Sequence, residues 1–287
     1  MKIWDVPRNE KDSIEFLQTR NLLHKTRVCR NGHEMKLYHK QRPVWQCNRC
    51  GQQIGLRSGN WFSNTRLPFL TIVRFIYSWS EELTSVKYCE KQLEINHNTV
   101  VDWNMYLRET CVAALAARDQ KKIGGDNKIV EIDESLFSKR KNNAGRVLPQ
   151  QWVFGGICRE TNECFILTVP DRTAPTLLQA IENYIEAGTT IFSDSWKGYK
   201  TNEIEEAGFE HFKVNHRYNF IDPKTGCNTQ KVERMWGSAK WRNKKHRGTA
   251  RHHLESYFAE FMWRKMMGER DVFEEIMLAW GKYWSLE

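Results

Sequence analysis

Lys-Ile-Val-Glu-Ile-Asp (128–133) decides the fold. Ile129, Val130 and Ile132 make it a strand. It follows Gly124-Gly125-Asp126-Asn127, a break at which the helical periodicity of the preceding residues stops. Two further strands are predicted at 151–158 (Gln-Trp-Val-Phe-Gly-Gly-Ile-Cys) and 163–169 (Glu-Cys-Phe-Ile-Leu-Thr-Val). A helix at 174–187, a strand at 189–193, a helix at 198–207, a short strand near 210–215 and helices from 228 complete the pattern.

A three-strand meander followed by alternating helix and strand is the order of a ribonuclease-H-like α/β domain, a mixed sheet with flanking helices. That order sets the first and fourth strands side by side. The first ends on Asp133, and Thr-Thr-Ile-Phe-Ser-Asp (189–194) ends on Asp194. Glu233 lies in Asn-Thr-Gln-Lys-Val-Glu-Arg-Met-Trp (228–236), whose Val232, Trp236 and Ala239 share one helical stripe, with Glu233 at its edge. Three carboxylates suit Mg²⁺ or Mn²⁺ rather than Zn²⁺. Two such ions about 4 Å apart can activate a water or a 3′-hydroxyl for in-line displacement at phosphorus. Asp133, Asp194 and Glu233 are therefore the candidate catalytic and metal-binding acids. By alternation Glu131 shares the face of Asp133 and is its competitor, whereas Glu134 faces the other way.

The 287 residues carry 44 Lys and Arg against 35 Asp and Glu, a formal net charge of +9. Such an excess favours a polyanionic partner through phosphate contacts and counterion release, although a basic protein with no nucleic-acid role has the same balance. The cations cluster beside the proposed acids. Lys240, Arg242, Lys244, Lys245, Arg247 and Arg251 follow Glu233 with no acid before Glu255, and Trp241 and His246 are interleaved. Lys139, Arg140, Lys141 and Arg146 form a second cluster just after Asp133. Either run also fits a solvated face, but their placement favours DNA contact. No apolar run approaches the ~20 residues that span a bilayer. Met-Lys-Ile-Trp-Asp-Val-Pro at the start has no signal-peptide core, so an intracellular protein without a membrane partner is expected.

Upstream, residues 8–24 read as an amphipathic helix. Val-Cys-Arg-Asn-Gly-His (28–33) and Cys-Asn-Arg-Cys-Gly (47–51) then offer Cys29, His33, Cys47 and Cys50 as two close pairs of ligands. Thiolate and imidazole in that grouping suit tetrahedral, structural Zn²⁺ in a zinc-ribbon-like module. His24 and His39 are alternatives to His33. Residues 68–118 read as helices, with Glu94-Ile95-Asn96 as a turn and Asn96 or Asn98 as a cap. This is a helix-turn-helix outline in which His97, Asn98, Thr99 and Asp102 face a DNA groove, and it equally fits a plain helical bundle. The expected domains are 1–66 (N-terminal helix and zinc module), 67–123 (helix-turn-helix), 124–255 (catalytic) and 256–287 (C-terminal helical segment). Phe258, Phe261, Trp263, Trp280 and Trp284 in that last segment are expected to pack on the catalytic domain or to form a subunit interface.

Glu-Ile-Asp-Glu-Ser (131–135), Trp-Val-Phe-Gly-Gly (152–156), Phe-Ser-Asp-Ser-Trp-Lys-Gly-Tyr (192–199) and Asn-Thr-Gln-Lys-Val-Glu-Arg-Met-Trp (228–236) together resemble Merlin-type DNA transposases and their bacterial insertion-sequence relatives with the ISXO2-like DDE catalytic domain. Leu-Arg-Ser-Gly-Asn-Trp-Phe (56–62) and Thr-Val-Val-Asp-Trp (99–103) also fit, so the likeness spans nearly the whole chain. The resemblance implies a cut-and-paste transposase. Its N-terminal region would recognise terminal inverted repeats in double-stranded DNA, and Asp133, Asp194 and Glu233 would be its acidic triad. It also implies at least a dimer on DNA, and nuclear residence, or the nucleoid for a bacterial source. Relatives often carry His where this chain has Asn228, which leaves His216 as the nearest acid–base candidate. Two alternatives come from other classes: a zinc-containing DNA-binding regulator that no longer cuts, and a structure-selective nuclease of the same fold.

Overall fold

The computed structural model describes residues 1–119, 122–137, 151–245, 251–284 and 286, with the side chains of 241–245, 251 and 252 left aside. The chain forms two compact units, Met1–Ala114 with Glu269–Glu287, and Leu115–Gly268.

In the first unit, α1 (Glu10–Thr19) starts where the Asn9 side chain accepts the Asp12 N–H, and buries Ile14 and Leu17. Strands β1 (Lys36–Tyr38), β2 (Val44–Gln46) and β3 (Gln53–Gly55) make a small antiparallel sheet. Helix α2 (Phe69–Ser80) has Pro68 at its cap position, with no side-chain acceptor of its own. The Glu10 carboxylate replaces it, taking the Phe69 and Leu70 N–H groups, each at 2.9 Å. Next come α3 (Val86–Leu93) and α4 (His97–Ala116). Between them Glu94 turns at φ 55°, Ile95 is buried, and Asn96, one of the two expected caps, accepts the Thr99 N–H.

The second unit carries β4 (Ile123–Gly124), β5 (Ile129–Leu136), β6 (Trp152–Cys158), β7 (Cys164–Val169), α5 (Ala174–Tyr184), β8 (Ile185–Glu186), β9 (Thr190–Asp194), α6 (Thr201–Glu206), β10 (Glu210–Val214), α7 (Gln230–Lys245) and α8 (Arg251–Met267). Its main sheet has the order β10-β9-β5-β6-β7. β5, β6 and β7 run antiparallel, while β9 is parallel to β5 and β10 to β9. This is the mixed sheet expected from the sequence, with the first and fourth strands of the pattern adjacent. Alternation divides its side chains between two cores. Val130, Ile132 and Phe154 pack with Leu177 and Ile181 of α5 and Ile204 of α6. Val153, Ile157 and Ile166 pack with Val232, Met235 and Trp236 of α7 and Leu254, Phe258 and Phe261 of α8.

Helix α9 (Val272–Tyr283) belongs to the first unit, where Trp280 meets Trp61 at 4.6 Å between ring centroids. The aromatic residues of the C-terminal segment thus divide: Phe258, Phe261 and Trp263 are buried in the second unit, Trp280 in the first. The Trp284 indole donates to Thr110. No helix among the described residues is long and apolar enough to cross a membrane.

Candidate active site and metal centres

Asp133 was expected at the end of its strand, but β5 continues to Leu136. Two ladders end at different places: β6 pairs with β5 through Leu136, whereas β9 pairs with it only at Ile129, Val130 and Glu131. Asp133 therefore lies just beyond the stretch paired with β9. The register sets Glu131 beside Phe192. Continued by two residues, the same offset brings Asp133 level with Asp194, the last residue of β9. Both are held by nearby amides, Asp133 by the Glu134 N–H at 2.9 Å and Asp194 by the Trp196 N–H at 2.9 Å.

Glu233 arrives on α7, and the seating of that helix is the feature the sequence concealed. Glu131 is 1% exposed. Its carboxylate takes the Arg159 Nε–H at 2.6 Å and the backbone N–H groups of Lys231 and Val232 at 2.7 and 3.0 Å. A buried anion at a helix N-terminus satisfies orphan donors and complements the helix dipole. Arg159 also donates to the Asn228 carbonyl, tying down the approach to the helix. Across β6, Gly155 faces Asp133. A Cβ at Gly155 would lie 2.9 Å from both the Phe165 carbonyl and the Trp236 ring, so α7 lies this close to the sheet only because that residue is glycine. Glu131 is thus a clamp for α7. Cues available beforehand were the alternation that puts it on the face of Asp133 and the Gly-Gly of 155–156.

The result is a crowd of carboxylates. Burial is the largest cause raising Asp133 from 3.8 to about 7, followed by the charges of Glu134 and Asp194, with Glu233 adding to them against the Glu134 N–H. Glu233 is more open, its side chain 57% exposed. Its Oε1 accepts from Thr229 Oγ1 at 3.1 Å and lies 3.7 Å from His216 Nε2, which is itself 2.8 Å from Thr229 Oγ1. Asn228, by contrast, directs its amide to the Gly226 carbonyl. Hard oxygen donors, one of them with its carboxyl raised by burial and by neighbouring acids, fit a divalent cation of the Mg²⁺ or Mn²⁺ class.

On the opposite face Glu134 is paired within the protein. Its side chain is 5% exposed, accepts the Tyr199 hydroxyl at 2.5 Å and lies 3.6 Å from Arg172. The Arg172 guanidinium sits 4.5 Å from the Trp152 ring and 3.8 Å from Trp196. Burial raises the Glu134 carboxyl, and the Tyr199 and Arg172 contacts oppose that rise.

Cys29, His33, Cys47 and Cys50 bring four ligand atoms within 4.8 Å of one another. His33 is the histidine of that cluster, while His24 lies 3.4 Å from the Gly59 carbonyl. Two tight turns build the site, with Gly32 at φ 76° and Gly51 at φ 74° donating to the Cys29 and Cys47 carbonyls. The Cys50 N–H is the largest cause that brings the Cys47 thiol from 9.0 down to about 6, against burial. A thiol held toward thiolate beside imidazole and two more thiols fits zinc.

Of the proposed DNA contacts, His97 and Asn98 are exposed and Thr99 half-buried on the first turn of α4. The Lys240 ammonium contacts Ser135 Oγ and lies 5.6 Å from the Phe137 ring, so it is engaged within the second unit. Lys139, Arg140, Lys141, Arg146 and Arg247, and the side chains of Arg242, Lys244 and Lys245, lie outside the described residues.

The family model described as the ISXO2-like transposase domain matches residues 119–265. An uncharacterized transposase-like protein of Haemophilus influenzae is 27% identical over 100 residues, covering 35% of this chain and 78% of that protein. Male abnormal protein mab-31 of Caenorhabditis elegans is 25% identical over 234 residues, 71% of this chain and 54% of the relative, so the chain spans about half the length of that protein. Among solved structures, the catalytic core domain of BIV integrase is similar at 16% identity and a TM-score of 0.33, over 50% of this chain and 84% of that one. The HTLV-2 integrase catalytic core in complex with magnesium is similar at 12% identity and 0.31, over 50% and 88%.

Proposed function

The chain belongs to the ISXO2-like transposase domain family, and on that premise we propose that it is a cut-and-paste DNA transposase that cleaves the ends of its element and joins the 3′-ends to target DNA. What supports the proposal is the β5–β9 register, which brings Asp133 level with Asp194, together with the charges of Asp194 and Glu233 felt at Asp133. These three would hold Mg²⁺ or Mn²⁺. Bound there, the ions supply charge neutralisation at the phosphoryl oxygens and lower the pKa of the attacking oxygen.

The chain's own part is positioning. The Glu134 and Trp196 amides orient the Asp133 and Asp194 carboxylates. Glu131 and Arg159 fix the start of α7 and with it Glu233. Thr229 donates to Glu233 Oε1, and His216 Nε2, 2.8 Å from Thr229 Oγ1, is the nearest acid–base candidate. The zinc module and the exposed start of α4, with His97, Asn98 and Thr99, would recognise terminal inverted repeats, and the basic clusters around 139–146 and 240–251 would hold phosphates. Pairing two element ends requires at least two subunits. The Merlin-type subclass and nuclear residence rest on the quoted motifs and the basic run, and a bacterial source would move the site of action to the nucleoid.

The test uses a plasmid carrying the element ends, with purified protein and Mn²⁺. Wild-type protein is expected to yield cut ends and joined products, and Glu233→Gln neither, with DNA binding retained. A wild type that binds the ends and never cuts would point to a regulator. Hydrolysis without any joined product would point to a nuclease.

A further inference from the structure

Between β10 and α7, on the segment that carries His216, the chain presents aromatic side chains to solvent. Tyr218 is 80% exposed, Phe220 78% and Ile221 51%. Contiguous exposed apolar surface marks a contact site. The loop is held at both ends. The Asn215 carbonyl accepts the Tyr218 and Asn219 N–H groups, each at 3.0 Å, and its side chain takes the Arg217 N–H. Asp222 accepts the Lys224 and Thr225 N–H groups and the Thr225 hydroxyl, and its own N–H reaches the carbonyl of buried Cys227. The loop also begins at the site, for His216, two residues before Tyr218, lies 3.7 Å from Glu233.

Charge indicates the occupant. From 213 to 226 the acid is Asp222, whose Oδ1 is taken up by its own turn, while Arg217 and Lys224 flank the aromatics. Exposed rings interleaved with cations are the arrangement that tracks a nucleic-acid backbone while stacking on its bases. We propose that Tyr218 and Phe220 stack on an unpaired base of the DNA strand whose phosphate lies at Asp133, Asp194 and Glu233. This rests on the transposase reading and adds to it that the strand is splayed at the reacting end.

The experiment measures binding of the full chain, without added Mg²⁺ or Mn²⁺ and without chelator, to two DNA probes, a blunt duplex and the same duplex with two unpaired nucleotides at one end. Wild type should prefer the forked probe. Stacking on one base corresponds to roughly 5- to 150-fold in affinity, and Tyr218→Ala with Phe220→Ala should lower the forked-to-blunt ratio by about that factor. Tyr218→Phe, which keeps the ring, should keep the ratio, and unchanged circular dichroism establishes that each variant folds. An unaltered ratio in the double alanine variant overturns the proposal and leaves the transposase reading standing, since Glu233→Gln tests that separately. Loss of self-association with no change in the ratio overturns it in favour of a second copy of the chain. A wild type that binds neither probe overturns the stacking proposal, and the transposase reading then stands or falls on the cleavage assay.

Discussion

Replacing Asp133 by Asn should stabilise the protein in divalent-free buffer, although it removes a proposed catalytic group. In the folded chain the carboxyl is raised from 3.8 to about 7, by burial first and by Glu134 and Asp194 next. A carboxyl whose folded pKa is raised contributes its full stability below its unfolded pKa near 4 and loses it as pH rises through the folded value. At roughly 1.4 kcal/mol per pKa unit, the rise from 3.8 to about 7 means that the ionised carboxylate destabilises the fold by about 4 kcal/mol above pH 8. Asn cannot ionise, yet its side-chain oxygen can still accept the Glu134 N–H that Asp133 now takes at 2.9 Å. Urea denaturation at intervals between pH 5.5 and 8.5, without magnesium and without chelator so that zinc stays in place, should show a gap favouring the variant. The gap should widen toward neutral pH and level off beyond about pH 8. Added Mn²⁺ should close it by stabilising the wild type alone. A variant no more stable than wild type at pH 8.5 would refute the electrostatic account of the site.

Two further predictions follow. Glu131→Gln should lower the stability of the second unit by about 2–4 kcal/mol in urea, because it leaves the Arg159 charge without its carboxylate counterpart at 2.6 Å and removes the anion at the start of α7; a loss below about 1 kcal/mol would remove Glu131 from the role of clamp. Cys50→Ser and His33→Ala should each lower zinc content from about one ion per chain, measured by atomic emission, while His24→Ala and His39→Ala should not; full zinc in His33→Ala would hand its place to another histidine.

What the sequence revealed and what it hid follow one physical line. Strand order was legible because 128–133, 151–158, 163–169 and 189–193 are apolar runs broken by turn residues, and alternation along them is local. The same alternation placed Glu134 away from Asp133. The end of β5 was not legible, since it depends on where β6 stops pairing rather than on any residue of the strand itself. Spacing alone paired the cysteines but left three histidines open, and only the turn at Gly32 turns His33 toward Cys47 Sγ, at 3.8 Å. The Glu131–Arg159 pair joins β5 to the turn after β6, and the α7 N–H groups that Glu131 accepts lie about a hundred residues further along the chain, a distance over which no periodicity reaches.

That clamp explains which of three neighbouring acids on β5 remains available. Glu131 is neutralised by Arg159 and two helix amides, and Glu134 meets Arg172 and the Tyr199 hydroxyl. Asp133, between them in sequence, has one backbone amide, and the charges weighing most on it are other carboxylates. Identical chemistry on one strand thus acquires different roles from what each side chain finds across the sheet. Among the described residues, arginines pair with Glu131 and Glu134, the two acids built into the architecture, and not with Asp133. A carboxylate buried beside two more is costly unless something positive arrives from outside, and this is the property that the proposed Mg²⁺ or Mn²⁺ site would use.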